Sequence, residues 1–464
     1  MEAPLGKSTK AWHRGGTSRS MEEVSVMEMD RRGCMIQFLS QRKLSVSSGG
    51  TQMKETKPFI ISRKVIWEAY QSVKANKGAS GVDRVDLKEF AKDLKQNLYR
   101  IWNQMSSGSY LPSPVLLVEI PKKGGGKRPL GIPTIADRVA QTVVKMELEP
   151  ILEPIFHPDS YGYRPHKSAL DAVGKTRERC WQYDWVLDVD IKGFFDNIPH
   201  DLLMKAVRKH SQCRWVLLYI ERWLVAPVQN AQGVISPREK GTPQGSVISP
   251  LLANLFLHYC TDEWMRINYP NCPFERYADD SVIHLRNEEE ANSLKEALGK
   301  RMEECGLSLH PDKTRIVYCK DANCKNSFSS QSFDFLGYTF RPRMVRSKKG
   351  QFFVSFSPAI SKESKKGIYA KMREWELNSK TGGDLTNIAN FINPVISGWI
   401  NYYGKFQPSA MRTILNHINY KLAKWAKRKY KRLHGKLTMS FKWLVNIWVR
   451  EPNLFTHWKV GVKP

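Results

Sequence analysis

The sequence has no apolar run approaching the roughly 20 residues that cross a bilayer. Its N-terminus also lacks the apolar core of a signal peptide. Both absences argue against a spanning or exported product. They set the expectation of a cytoplasmic protein, nucleoid-associated through nucleic acid, with no membrane partner. Cysteine is sparse: eight residues spread from Cys34 to Cys324 without paired spacing. That usage fits reduced thiols and excludes a disulfide framework. Cys319 and Cys324 lack a second pair to complete a zinc site. Acid is in shortest supply. Against 73 Lys and Arg stand 45 Asp and Glu, a net charge of +28. A solvated surface mixes signs, so this excess points to a polyanion, nucleic acid ahead of an acidic membrane.

What is present is ordinary in bulk: 464 residues, 41% hydrophobic and 25% charged, enough for two or three domains. Residues 1–55 are rich in Ser, Gly, Thr, Lys and Arg, and little fixed structure is expected there beyond a short helix near 21–29. Apolar spacing predicts helices over 65–73, 87–104, 137–155 and 200–225. One long helix is predicted over 249–268 and a charged amphipathic one over 288–305, stopped at Gly306. Strands are predicted over 115–120, 185–191, 333–340 and 352–356, with a strand–turn–strand over 274–285. From about 360 the chain is helical and basic. The expected fold is α+β, a central antiparallel sheet followed by an all-helical C-terminal part.

The sharpest local feature is Tyr277-Ala278-Asp279-Asp280 between two β-like runs. A turn needs at most one Asp, although adjacent acids in loops are common. Asp190 changes the weighing, because it follows the apolar run Val186–Val189, where an unpaired carboxylate is costly. Asp188, two residues earlier, shares its face as a structural partner or a second ligand. If the two strands are neighbours, Asp190, Asp279 and Asp280 converge. Three carboxylates at one point require cations, and hard oxygen donors suit Mg²⁺. Two such ions, roughly 4 Å apart and replaceable by Mn²⁺, support nucleotidyl transfer.

These acids, with Val-Leu-Asp-Val-Asp-Ile-Lys-Gly-Phe-Phe-Asp before the hairpin, resemble the palm of reverse transcriptases. The resemblance implies a right hand of fingers, palm and thumb, with Asp190, Asp279 and Asp280 as the catalytic, metal-binding triad. It also implies that Phe195 screens the sugar 2′ position in favour of dNTPs, where otherwise a core aromatic would be assumed. Lys122-Lys123-Gly124-Gly125-Gly126-Lys127-Arg128 is a basic Gly-rich turn, either a solvated hairpin or a phosphate cradle. By resemblance, Lys122 and Arg128 meet the triphosphate, with Lys123 and Lys127 close enough to leave the assignment open. Gln244, in Gly241-Thr242-Pro243-Gln244-Gly245, is a polar reader that the family places at the nascent base pair. Lys313 matches a basic position near the palm, and Phe335-Leu336-Gly337-Tyr338 a strand supporting the primer end. Arg164, in Ser160-Tyr161-Gly162-Tyr163-Arg164-Pro165, is open to template contact or a structural ion pair.

Three stretches narrow the resemblance to group II intron-encoded maturases. They are the 120–141 block from Ile120-Pro121 to Gln141, Lys77-Gly78-Ala79-Ser80-Gly81-Val82-Asp83, and the run from Asn393-Pro394 to Tyr403-Gly404. The implied layout is an extension at 1–55, fingers and palm at 56–345, and a thumb/maturase domain at 346–464. Ile414, Ile418, Leu422 and Trp425 recur on one helical face of that last part. Lys421, Lys424, Arg428 and Lys431 form a separate basic stripe suited to RNA. No acid occurs over residues 411–449, against the alternative of a solvated charged helix. The expectation is an RNA-dependent DNA polymerase that copies intron RNA and binds it to aid splicing and mobility. Its partners would be group II intron RNA, an RNA template with DNA primer, target DNA and dNTPs. No His-Asn-His constellation or Cys pair follows the thumb, so no target-strand nuclease is expected. The rivals are a non-enzymatic splicing factor and a reverse transcriptase recruited to repair or defence.

Overall fold

The computed structural model describes residues 57–121, 126–320, 328, 330–346 and 349–464. The 1–55 extension, its expected helix and Lys122 lie outside the described residues. No helix among the described residues is long and apolar enough to cross a membrane.

The chain opens with the helix Arg63–Asn76, capped by Ser62 and packed through Ile66, Ala69, Tyr70 and Val73. The single helix expected over 87–104 is two. Asp86 caps Leu87–Lys92 by accepting from the Lys88 and Glu89 amides, both at 2.8 Å, and Asp93 leaves the helical region before Leu94–Ser107 begins. Strands β1 (Val115–Pro121) and β2 (Lys127–Ile132) then form an antiparallel hairpin, with Ile120 opposite Arg128. The helix Ile135–Leu152 behind them is buried along most of its length.

The palm sheet is built from β3 (Trp185–Val189), β6 (Phe274–Tyr277), β7 (Asp280–Leu285) and β8 (Arg315–Tyr318) in the order β6-β7-β3-β8, all antiparallel. Between them in sequence, β4 (Val228–Gln229) and β5 (Ile235–Ser236) extend the β1–β2 sheet. The palm is backed by the helix Glu288–Glu304 and by a helical rod from Ser249 to Asn268, expected as one uninterrupted helix. Residues His258–Asp262 of that rod form a π-turn. One continuous core, from Tyr70 and Val139 to Leu252 and Leu298, joins this sheet to the fingers helices.

A third sheet comprises β9 (Phe333–Phe335), β10 (Tyr338–Arg346) and β11 (Phe352–Ile360). Phe335-Leu336-Gly337-Tyr338, expected within one strand, is instead the tight turn between β9 and β10, with Leu336 and Gly337 both at positive φ. The boundary expected after residue 345 cuts the β10–β11 ribbon, whose base packs Phe333, Phe340 and Phe356 onto palm residues Val186 and Val317. The division is better drawn at Lys362, where the first helix of the C-terminal part begins. That part is helical, around a core in which Ile392 meets Ile414, Ile418, Leu422 and Trp425, the last four being the face expected from sequence.

Candidate active site

Strand pairing decides where the carboxylates lie. Asp188 is opposite Val282 and Val189 opposite Ser281 across β3 and β7. One step further, the same ladder carries Asp190 toward Asp280, at the tip of the β6–β7 hairpin. Tyr277 pairs with Asp280, so Ala278 and Asp279 form the two-residue turn, with Ala278 at φ 58°. A β-carbon in that left-handed region costs on the order of 1 kcal/mol, so the turn must be held from outside.

Two neighbours hold it. On one side Tyr161 N donates to the Arg276 carbonyl at 2.8 Å, and Arg276 N donates to the Asp159 carbonyl at 3.0 Å. This brings Gly162 so close to Ala278 that a side chain there would collide with the turn's backbone. Beneath the hairpin, the Arg276 guanidinium donates to Asp262 Oδ1 at 2.7 Å and Oδ2 at 2.6 Å, with both residues fully buried. Arg276 Nη1 also reaches the Ala278 carbonyl at 3.1 Å and Asn254 Oδ1 at 3.0 Å, and Asn254 donates to the Gly162 carbonyl at 2.7 Å. Sequence reasoning missed Arg276 and Asp262. Their signal was faint: a charge inside a β-run, and an acid at the end of an apolar helix.

The electrostatics follow from this crowding. Asp280 is pushed up to about 7 by loss of solvation in the palm crease, then by Asp279, Asp190 and Asp188. Its side chain still reaches solvent, the direction from which a cation can enter. Burial raises Asp279 as well, with Asp190 adding to the shift and Arg128 and Lys313 opposing it. Asp188 is raised to about 7, first by burial, and pairs with Arg315 at 3.3 Å. Asp190 pairs with Lys313 at 2.8 Å, and its carbonyl accepts from His310 N at 2.8 Å. Among the described residues no three His, Cys, Asp or Glu side chains stand in a metal-holding cluster. The donor chemistry nonetheless fits a hard divalent ion: carboxylates crowded at one point, with a lysine ammonium occupying Asp190.

The remaining expected residues surround this point. Arg128 is exposed on β2 and acts electrostatically on Asp279, whereas Lys127 is engaged by Glu119 at 2.5 Å across the hairpin. Phe195 is 9% exposed and edge-on to Phe194, so only a rim is open. Its carbonyl accepts from Thr242 N at 2.7 Å, which ties the Pro-Gln-Gly loop to the start of the palm. Gln244 is half-buried, and its carbonyl accepts from Gly131 N of β2 at 2.7 Å. Gly245, at φ 114°, lies against the Gly131 carbonyl where no side chain fits. Of the two readings of Arg164, the structure supports the ion pair. It donates to Glu153 Oε1 at 2.9 and 2.7 Å and to the His157 and Ser160 carbonyls.

In the C-terminal part, the helix Arg412–Lys429 carries Lys421, Lys424 and Arg428 off its buried face, with Lys424 over the Tyr420 ring at 4.6 Å. Lys431, expected on the same stripe, falls beyond the helix, because Tyr430 turns extended and a short 3₁₀ turn begins at Lys431.

A hairpin of two acids beside a third just past the end of the neighbouring strand, with Arg128 of the basic fingers ribbon within electrostatic reach, defines the palm of a template-directed polymerase. Comparison with known proteins gives the family. Residues 120–340 match the reverse transcriptase (RNA-dependent DNA polymerase) family, and residues 365–443 match the group II intron maturase-specific domain. Protein YkfC of Escherichia coli is 31% identical over 66% of this chain and 88% of its own length. Group II intron-encoded protein LtrA of Lactococcus lactis is 35% identical over 43% of this chain, which spans only 33% of LtrA. A solved telomerase from Candida albicans overlaps 81% of this chain and 67% of its own at 13% identity and a TM-score of 0.41. This chain belongs to the group II intron-encoded reverse transcriptases and maturases: it is an RNA-directed DNA polymerase joined to a maturase domain.

Proposed function

We propose that Asp190, Asp279 and Asp280 of this chain hold two Mg²⁺ ions, with Mn²⁺ as a substitute, and polymerise dNTPs on an RNA template from a DNA primer. The observation that carries this is the β3–β7 register, which directs Asp190 to the tip bearing Asp279 and Asp280. When bound, the ions would lower the pKa of the primer 3′-hydroxyl and neutralise the leaving pyrophosphate. Lys313 balances the charge of Asp190 until then and can turn toward phosphate. Lys122 and Arg128 neutralise the triphosphate from the fingers, Gln244 borders the nascent base pair, and the rim of Phe195 faces the sugar. Lys421, Lys424, Arg428 and Lys431 contact group II intron RNA through its backbone, which aids splicing, and the intron copy is made at target DNA. The expected setting is the cytoplasm, at the nucleoid.

The test is primer extension on an RNA template, comparing wild type with Asp279→Ala/Asp280→Ala, alongside splicing of the flanking intron RNA. Loss of cDNA with retained splicing supports the reading. Equal cDNA from both proteins refutes the assignment of the acids. A wild type that binds and splices the RNA but makes no cDNA under varied metal and salt leaves a splicing factor.

A further inference from the structure

The β10–β11 ribbon is longer than its core requires. Near its base, Phe340 and Phe356 are fully buried against Phe333. The base is also tied to the thumb, since Tyr402 Oη donates to the Leu336 carbonyl at 2.8 Å. Nine residues at about 3.4 Å each make β10 about 30 Å long, so its far half extends beyond that core. There Met344 is 65% exposed, Phe352 70% and Phe353 43%. The pairing sets Arg346 opposite Phe352 and Val345 opposite Phe353. The Arg346 guanidinium lies over the Phe352 ring at 5.9 Å. Arg341 has no ion-pair partner among the described residues, whereas Arg343 is turned inward onto the Ser357 and Thr339 carbonyls. From Arg341 to Lys362 the sequence contains no acid.

Aromatic rings at the end of a cationic, acid-free ribbon complement a polyanion that offers flat apolar faces. Unpaired nucleotides do this; a closed duplex hides its base faces and can engage only the cations. We infer that this ribbon is an arm that grips an unpaired loop of folded RNA, with bases stacked on Phe352 and Phe353, which face opposite sides of the strand, and phosphates held by Arg346 at the outer end and Arg341 nearer the base. The inference rests on the proposed binding of structured RNA and adds to it a surface outside both the palm and the basic thumb helix.

The experiment uses the full chain and two probes, a stem–loop RNA with a uridine loop and a blunt duplex of equal length. Phe352→Ala/Phe353→Ala weakens stem–loop binding about tenfold or more and leaves duplex binding within about twofold. Arg341→Gln/Arg346→Gln weakens both, and lowers the slope of log K against log salt by roughly 0.7 to 0.9 per lost contact. Primer extension on a short RNA template stays at the wild-type level in both variants. Unchanged stem–loop affinity in proteins with wild-type circular dichroism overturns the arm. So does an equal loss on both probes in the Phe variant, or a change confined to oligomeric state, which would mean a protein contact. If wild type makes no cDNA but the Phe variant still loses the stem–loop, the polymerase reading falls and the arm stands.

Discussion

Removing the carboxylate under the Asp279–Asp280 hairpin should cost both stability and activity, and the two losses can be separated. Asp262 and Arg276 form a bidentate pair with essentially no solvent exposure. Among the described residues, Asp262→Ala leaves the guanidinium buried beside two neutral acceptors, Asn254 Oδ1 and the Ala278 carbonyl. Breaking a buried pair from one side costs about 3–5 kcal/mol, a large share of the roughly 5–15 kcal/mol that holds a domain folded. Replacing both partners with apolar residues of similar size, Asp262→Leu/Arg276→Met, removes the stranded charge and should recover most of that stability. It cannot restore the hydrogen bond to the Ala278 carbonyl, so Asp279 and Asp280 lose their anchor. A displacement of about 1 Å at a reacting centre costs about a hundredfold in rate. Urea unfolding followed by tryptophan fluorescence, with single-nucleotide incorporation on an RNA template, reads both quantities. If the double variant regains full incorporation along with stability, Arg276 serves only the core, and its positioning role is wrong. A change under about 1 kcal/mol in Asp262→Ala would refute the energetic argument as well.

Gly162→Ala should place its methyl group against the Ala278 backbone and lower incorporation about a hundredfold while RNA binding is kept, as single-turnover kinetics would show. Burial holds the His457 imidazole down to about 3, with Nε2 against Asn419 Oδ1 at 2.7 Å. The unfolded chain therefore binds the extra proton between about pH 6.5 and 3, and stability is full above about 6.5 and falls on acidification by up to about 1.4 kcal/mol per pH unit. Urea midpoints at two pH values should show that slope in wild type and a flatter one in His457→Gln. Lys421→Ala/Lys424→Ala/Arg428→Ala should weaken intron RNA binding and reduce its salt slope by about 0.7 to 0.9 per contact; an unchanged slope means a merely solvated helix.

The parts of this molecule that read well from sequence are those with a short period. The apolar, β-favouring run Trp185–Val189 and the β-like runs around Tyr277-Ala278-Asp279-Asp280 yield strands and a hairpin, and the buried face of Arg412–Lys429 follows from its helical repeat. Endings read less well. Lys431 shares the spacing of Lys424 and Arg428 but stands past the helix, because spacing alone carries no sign of where Tyr430 turns extended. Leu336 sits in a turn at positive φ, which a leucine does not announce; the Tyr402 hydroxyl, 66 residues away, helps to hold it there. The split at Asp93 carries no capping side-chain bond, and the apolar repeat continues across it and conceals the break.

The supports beneath the acids were hidden for a related reason. Eight residues separate Asn254 from Asp262, and at about 100° per residue an unbroken α-helix would leave them about 80° apart. Both nevertheless meet the same Arg276 guanidinium. The π-turn at His258–Asp262 is wound more loosely than an α-helix and takes up part of that rotation. A continuous helix over 249–268 was the natural reading of the apolar run, and on that reading Asp262 is turned about 80° from Asn254. The extra residue in one turn therefore converts a plain packing helix into the seat of the acidic hairpin tip, which makes the π-turn a feature of the candidate site as much as of the fold.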